Sequence, residues 1–171
     1  MRFYESQSLE RIGFDFYCDI ARNIVKARES KGITQEELAK KCKLKYSRIS
    51  STELVKTRVK YDELNNIANI LNVSVDWLID AEIDSQIGDC LYLVWIEDHS
   101  EMKFYQKATS KRMAYLLFEK RLNELGFSLT SFVNPRVRVL VKLVGVPVGK
   151  NEFKKCFPKL DKRVDELPPE K

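Results

Sequence analysis

"TQEELAKKCKLKYSRISSTE", residues 34–53, sets two short helical patterns on either side of a tight basic turn. Thr34 and Glu37 have the spacing of a capping box, in which the hydroxyl accepts from the backbone near Glu37 and that carboxylate reaches back to the amide of Thr34. A helix from Gln35 to about Cys42, burying Leu38 and Ala39, is therefore expected. After the turn "KLK" a second helix runs from Tyr46 to Glu53 with Ile49 inward.

Working outward, Ile20, Ile24, Ala27 and Arg28 form a helical stripe that stops at Gly32, a residue suited to a left-handed closing position. Downstream, a basic loop leads to Lys60. A helix over 61–71 then places Leu64, Ile67, Ala68 and Leu71 on one face, with Asn72 able to close it and Ser74 capping a last turn, "VDWLI". The pattern predicts five short helices around one small core.

Helical periodicity ends at "AEIDSQIG", and strand-like sequence follows. The chain is divided accordingly into a helical domain over 1–82 with its core at 16–80, a linker over 83–88, an α+β domain over 89–158 and a mobile charged tail over 159–171. "DCLYLVWIE" and "MKFYQK" read as a hairpin around the turn "DHSE", and a helix capped by Thr109 runs to Leu125 with Ala114, Leu117, Phe118, Leu122 and Leu125 on one face. The last strand, "RVRVLVKLV", alternates Arg136, Arg138 and Lys142 against Val137, Val139, Val141 and Leu143. This is roughly a ββαβ unit. "CLYLVWI" is apolar on both alternating faces, with Leu91, Leu93 and Trp95 on one and Tyr92, Val94 and Ile96 on the other, and a lone helix covers one face of a sheet. The other face, or an unpaired edge strand, is expected to meet a second copy.

With 44% hydrophobic and 32% charged residues among 171, the composition is that of an ordinary globular protein. No apolar run is long enough to span a bilayer and the first residues lack a signal-peptide pattern, so a cytoplasmic protein with no membrane partner is expected. The four cysteines are far apart and the single histidine, His99, falls in the hairpin turn; the usual zinc spacings cannot be assembled, and no metal or cofactor is expected. Residues 89–171 carry no catalytic motif, and no enzyme activity is expected. The net charge of +5 is modest, but its distribution is uneven. Residues 40–60 hold eight cations against the single anion Glu53, whereas residues 61–84 hold six anions and no lysine or arginine. Such segregation suits a face turned toward a polyanion; a solvated lysine face gives the same count.

"GITQEELAKKCKLKYSRISSTE" followed by "LNNIANILNVSVDWL" resembles the lambda-repressor-like, Cro-type helix-turn-helix domain of phage repressors and of the XRE group of bacterial regulators. The likeness covers roughly residues 20–80. It implies an all-α, five-helix DNA-binding domain, here followed by the small α+β domain. It also implies a transcriptional regulator of phage or mobile-element type that binds double-stranded DNA at a palindromic operator as a homodimer. An antitoxin, whose second half binds a partner protein while its helix-turn-helix controls its own operon, is the alternative. Larger phage repressors cleave themselves after Ala or Cys at a glycine; none of the six glycines here follows either residue, so that route is not expected.

On the helix over 46–53, Ser47 and Ser51 lie opposite Ile49 with Tyr46 at the N-terminal end, which makes these three and Arg48 the base-reading candidates. Tyr46 can meet a thymine methyl or pack on its own domain, and Arg48 can read guanine or reach a phosphate. By resemblance Gln35 reaches a phosphate and touches the start of the following helix. Lys45, Lys56 and Arg58, beside the ends of that helix, are phosphate candidates, with Lys40, Lys41 and Lys43 less favourably placed. Arg28 and Glu53 stand where repressors of this type hold a structural ion pair. One departure is plain: the turn after this helix usually carries a polar residue and glycine, but here it is Leu54 and Val55. A β-branched residue avoids positive φ, so another turn shape is expected.

Overall fold

A computed structural model describes residues 9–81, 89–97, 99–127 and 138–145. The tail expected over 159–171 and the linker over 83–88 lie outside these residues. The element order is β1 (Leu9–Ile12), α1 (Phe14–Ser30), α2 (Gln35–Cys42), α3 (Tyr46–Glu53), α4 (Tyr61–Leu71), α5 (Val75–Leu78), β2 (Cys90–Ile96), β3 (His99–Ala108), α6 (Lys111–Glu124) and β4 (Val139–Gly145). Among the described residues no helix is long and apolar enough to cross a membrane.

Local chemistry sets the helix ends. The Thr34 hydroxyl accepts from the Glu37 amide at 3.1 Å while the Glu37 carboxylate accepts from the Thr34 amide at 2.7 Å, so two otherwise unpaired donors at the start of α2 are satisfied. Ser74 caps α5 in the same way, accepting from the Trp77 amide at 3.0 Å. At the other ends the six described helices share one device: a residue at positive φ closes each, namely Gly32, Lys43, Val55, Asn72, Asp80 and Gly126. Val55 corrects the sequence reading, since its φ is 57° despite its branched side chain. Its amide donates to the Thr52 carbonyl at 3.1 Å and the Lys56 amide to the Ser51 carbonyl at 2.8 Å, the paired bonds that finish a helix at a left-handed residue. The left-handed conformation costs roughly 1–2 kcal/mol. Packing of the half-buried Val55 side chain against the core offsets that strain.

The four described strands lie antiparallel in the order β1-β4-β2-β3. The outcome departs from the expected division, because β1 comes from within the expected helical domain, ahead of its core, and pairs with β4, Leu9 opposite Lys142 and Ile12 opposite Val139. "LERI" is too short and too polar to announce itself as a strand. The hairpin turn is also tighter than expected. His99 lies inside β3, opposite Ile96, rather than in the loop.

α6 begins with Ser110 as its cap, accepting from the Met113 amide at 3.1 Å, and not with Thr109, whose hydroxyl instead bonds Asp76 at 3.2 Å. This helix lies between the sheet and the helical domain. Toward the sheet, Phe118 packs on Phe104 with ring centroids 5.5 Å apart. Toward the helices, Arg112 donates to Asp19 at 2.7 Å and to the Ile79 carbonyl at 2.9 Å, and Lys120 meets Asp62 at 3.2 Å. One hydrophobic core therefore runs from Ile20, Leu38, Ile49 and Leu64 through Tyr115 and Phe118 to Tyr92 and Val141. On the far side of the sheet Leu91 is buried, while Leu93 and Trp95 are half-buried.

Candidate nucleic-acid interface

The α2–turn–α3 pair is built around Leu38, Ala39 and Ile49, which point into the core and leave the opposite sides of both helices to water. Its relative orientation is fixed by an ion pair. Arg28 on α1 donates through Nε to Glu53 Oε1 at 2.8 Å and through Nη2 to Oε2 at 3.0 Å, while its Nη1 reaches the Ile33 carbonyl at 3.0 Å. Gln35 adds a third donor to the same carboxylate, Nε2 to Oε2 at 2.7 Å. The first residue of α2 thus braces the last residue of α3, not its start. The Glu53 side chain is only 4% exposed, so its charge rests on these three contacts.

Lys43, Lys45, Tyr46 and Ser47 lie exposed at the junction of α2 and α3. Tyr46 is 54% exposed. Lys43, Leu44, Lys45, Ser47, Arg48, Ser51 and Thr57 line a single surface depression. Thr57 was missed by the sequence reading: it lines this depression, with its hydroxyl oxygen buried and without a hydrogen-bond partner. Nothing in the local pattern around "KTRVK" marks it out. Lys56 is exposed beside it.

Two predicted contacts are corrected. Arg48 is committed within the protein, Nε donating to Glu63 Oε1 at 2.9 Å and Nη2 to Glu63 Oε2 at 2.5 Å and to the Arg58 carbonyl at 2.6 Å. Burial tends to raise the Glu63 carboxyl, but the hydrogen bonds from Arg48 and the Lys60 amide and their positive charge bring it below the usual range. Arg58, expected on a phosphate, is buried at 6% exposure. Its Nε donates to the Tyr17 hydroxyl at 2.9 Å and lies 3.5 Å from Glu119, and its Nη2 donates to the Tyr115 hydroxyl at 2.5 Å. Burial pushes the Glu119 carboxyl up, against the pull of Arg58 and the two hydroxyls. The remaining cations of this stretch, Lys40, Lys41, Lys43, Lys45, Lys56 and Lys60, are all exposed, and none forms an ion pair with another described residue.

Two helices crossing at a short turn, with the second carrying an exposed polar edge, define a helix-turn-helix unit. Residues 24–78 match the helix-turn-helix family model. The uncharacterized HTH-type transcriptional regulator YqaE of Bacillus subtilis (strain 168) is 33% identical over 67 residues, which is 39% of this chain. The match spans 58% of that relative's length. Among solved structures, the hypothetical transcription factor NHTF from Neisseria is 27% identical, with 41% of this chain and 82% of that one covered and a TM-score of 0.38. The biofilm master regulator SinR, solved in complex with DNA, is 34% identical, with 36% of this chain and 98% of that one covered and a TM-score of 0.35.

Proposed function

We propose that this protein is a sequence-specific DNA-binding transcriptional regulator, a repressor of phage or mobile-element type that occupies a palindromic operator as a dimer. The observation that carries the reading is the edge of α3, where Lys43, Lys45 and Lys56 stand exposed, with no ion pair among the described residues, around a depression lined by Ser47 and Ser51. Lysines on such a rim attract phosphates and release counterions, while the hydroxyls between them meet base edges. Tyr46, at the exposed start of the helix, is placed to lie against a thymine methyl. Gln35 contributes at the start of α2 through whatever capacity its bond to Glu53 leaves free. Serine hydroxyls discriminate bases weakly, so part of the specificity comes from DNA shape and from reading two half-sites together.

One helix-turn-helix reads few base pairs, and pairing of two copies supplies the second half-site. The sheet is proposed as the dimerisation element, since β3 stands at the end of the strand order among the described residues. Selection of bound duplexes from a random pool by the intact chain tests the whole reading. A shared inverted repeat with half-sites about one helical turn apart is expected; recovery of no common sequence contradicts it.

A further inference from the structure

The turn that follows α3 is held from outside the helix-turn-helix unit. Arg58 turns away from solvent and enters a polar cluster made by Tyr17 of α1 and by Tyr115 and Glu119 of α6. The two tyrosine hydroxyls bond each other, Tyr17 also donates to Glu119 Oε2 at 3.2 Å, and the guanidinium lies 5.1 Å from the centre of the Tyr17 ring. On its backbone side the same residue faces α3, because the Arg58 carbonyl accepts from Arg48 Nη2 at 2.6 Å. An unbroken line of bonds therefore runs from α6, through Arg58, to Arg48 on the helix that carries Ser47 and Ser51.

A helix-turn-helix core closes on apolar side chains and does not require an arginine of its loop to reach another element. A buried, charged pair adds little net stability over well-packed apolar residues, because desolvation consumes much of the attraction. Directional bonds do something apolar packing does not: a guanidinium shared among two hydroxyls and a carboxylate admits one orientation of the loop, whereas apolar contacts tolerate sliding. Arg58 Nη1 is left buried without a partner, so this geometry is kept at a cost in hydrogen bonding.

We propose that Tyr115 and Glu119 are positioning residues for the DNA-reading face, holding Arg58 and, through its carbonyl, Arg48, so that the α6-and-sheet part of the molecule sets the orientation of α3. This rests on the DNA-binding reading given above. Neither residue touches DNA; both act through the loop. A ligand, partner or second copy that shifts α6 changes operator affinity by the same route.

The test uses the full chain with Tyr115→Phe and Glu119→Gln, and with Val141→Ala as a control that loosens the opposite side of the same core. Affinity is measured for the selected operator and for random duplex, and amide hydrogen exchange is followed over residues 46–60 without DNA. Tyr115→Phe and Glu119→Gln are expected to lower operator affinity roughly tenfold. They leave random-duplex affinity and its salt slope unchanged and speed exchange across α3 and the loop. Val141→Ala moves neither the affinity ratio nor the α3 amides relative to the rest of the helical domain. The proposal is overturned if the two α6 variants match the control in both readouts. If the wild-type chain selects no DNA sequence, the DNA reading has failed by itself. Exchange then still decides the coupling: local acceleration over 46–60 supports it, and unchanged protection overturns it.

Discussion

Between residues 40 and 60 the fold treats its cations in opposite ways. Lys40, Lys41, Lys43, Lys45, Lys56 and Lys60 all lie exposed on the outer side of α2, α3 and the following loop, whereas Arg48 and Arg58 turn inward to Glu63 and to the Tyr17, Tyr115 and Glu119 cluster. The difference follows from the side chains. A guanidinium is planar, weakly hydrated and carries five donors in a fixed fork, so it can satisfy several buried acceptors at once; an ammonium is compact and strongly hydrated and stays in water. Counting charge along the chain treats the two alike. The outer face is available to a polyanion, and the inner arginines fix the frame that presents it.

This contrast is broken most severely at the buried side. Arg58→Ala leaves the Glu119 carboxyl and two tyrosine hydroxyls without their shared donor, and a loss of about 3–5 kcal/mol is expected in urea or guanidinium unfolding. Lys56→Ala, two residues away, is expected to change stability by less than about 0.5 kcal/mol. Equal losses for the two variants would remove the distinction.

Smaller effects separate the closing devices. Thr34→Ala, which deletes half of the capping box, is expected to cost about 1 kcal/mol. The Glu37 carboxyl sits below its ordinary value of 4.5 because it accepts hydrogen bonds at Thr34. A depressed carboxyl stabilises the folded state above the unfolded-state value and loses that contribution as the pH falls through the folded one. The wild type should therefore lose this part of its stability on acidification below about pH 4.5, and Glu37→Gln should lose the pH dependence with it. At Val55 the usual order of residues inverts. Val55→Gly and Val55→Ala both lose the packed methyls, but alanine keeps the left-handed strain, so the glycine variant is expected to be more stable by about 1 kcal/mol. Thermal unfolding of the pair measures this directly; a more stable alanine variant contradicts the strain.

Much of the helical domain is readable because its signals are local. Thr34 and Glu37 start α2, Asn72 closes α4 and Ser74 starts α5 through contacts within three residues of themselves. Signals that depend on distant chain are not readable. β1 becomes a strand only because β4 offers it a partner, with Leu9 opposite Lys142. α6 misleads a one-sided reading for the same reason: a second buried face, toward α1 and the α3–α4 loop, takes in Tyr115 and Glu119, while Leu125, assigned to the apolar side, is 54% exposed. At the candidate interface the sequence marks the basic stretch and the polar edge of α3. It does not show which cations are spent internally, because Glu63 and Glu119 are brought to Arg48 and Arg58 by the tertiary fold alone.

The smallest change to the fold gives the most direct test of the outer face. Binding of random-sequence duplex by the wild type and by the triple variant Lys43→Ala, Lys45→Ala, Lys56→Ala is followed across a salt series. Each lysine that neutralises a phosphate contributes about 0.9 to the slope of log affinity against log salt, so the triple variant should show a slope shallower by about 2 to 3 with unchanged stability. A folded triple variant that binds with the wild-type slope would contradict the assignment of this face to DNA.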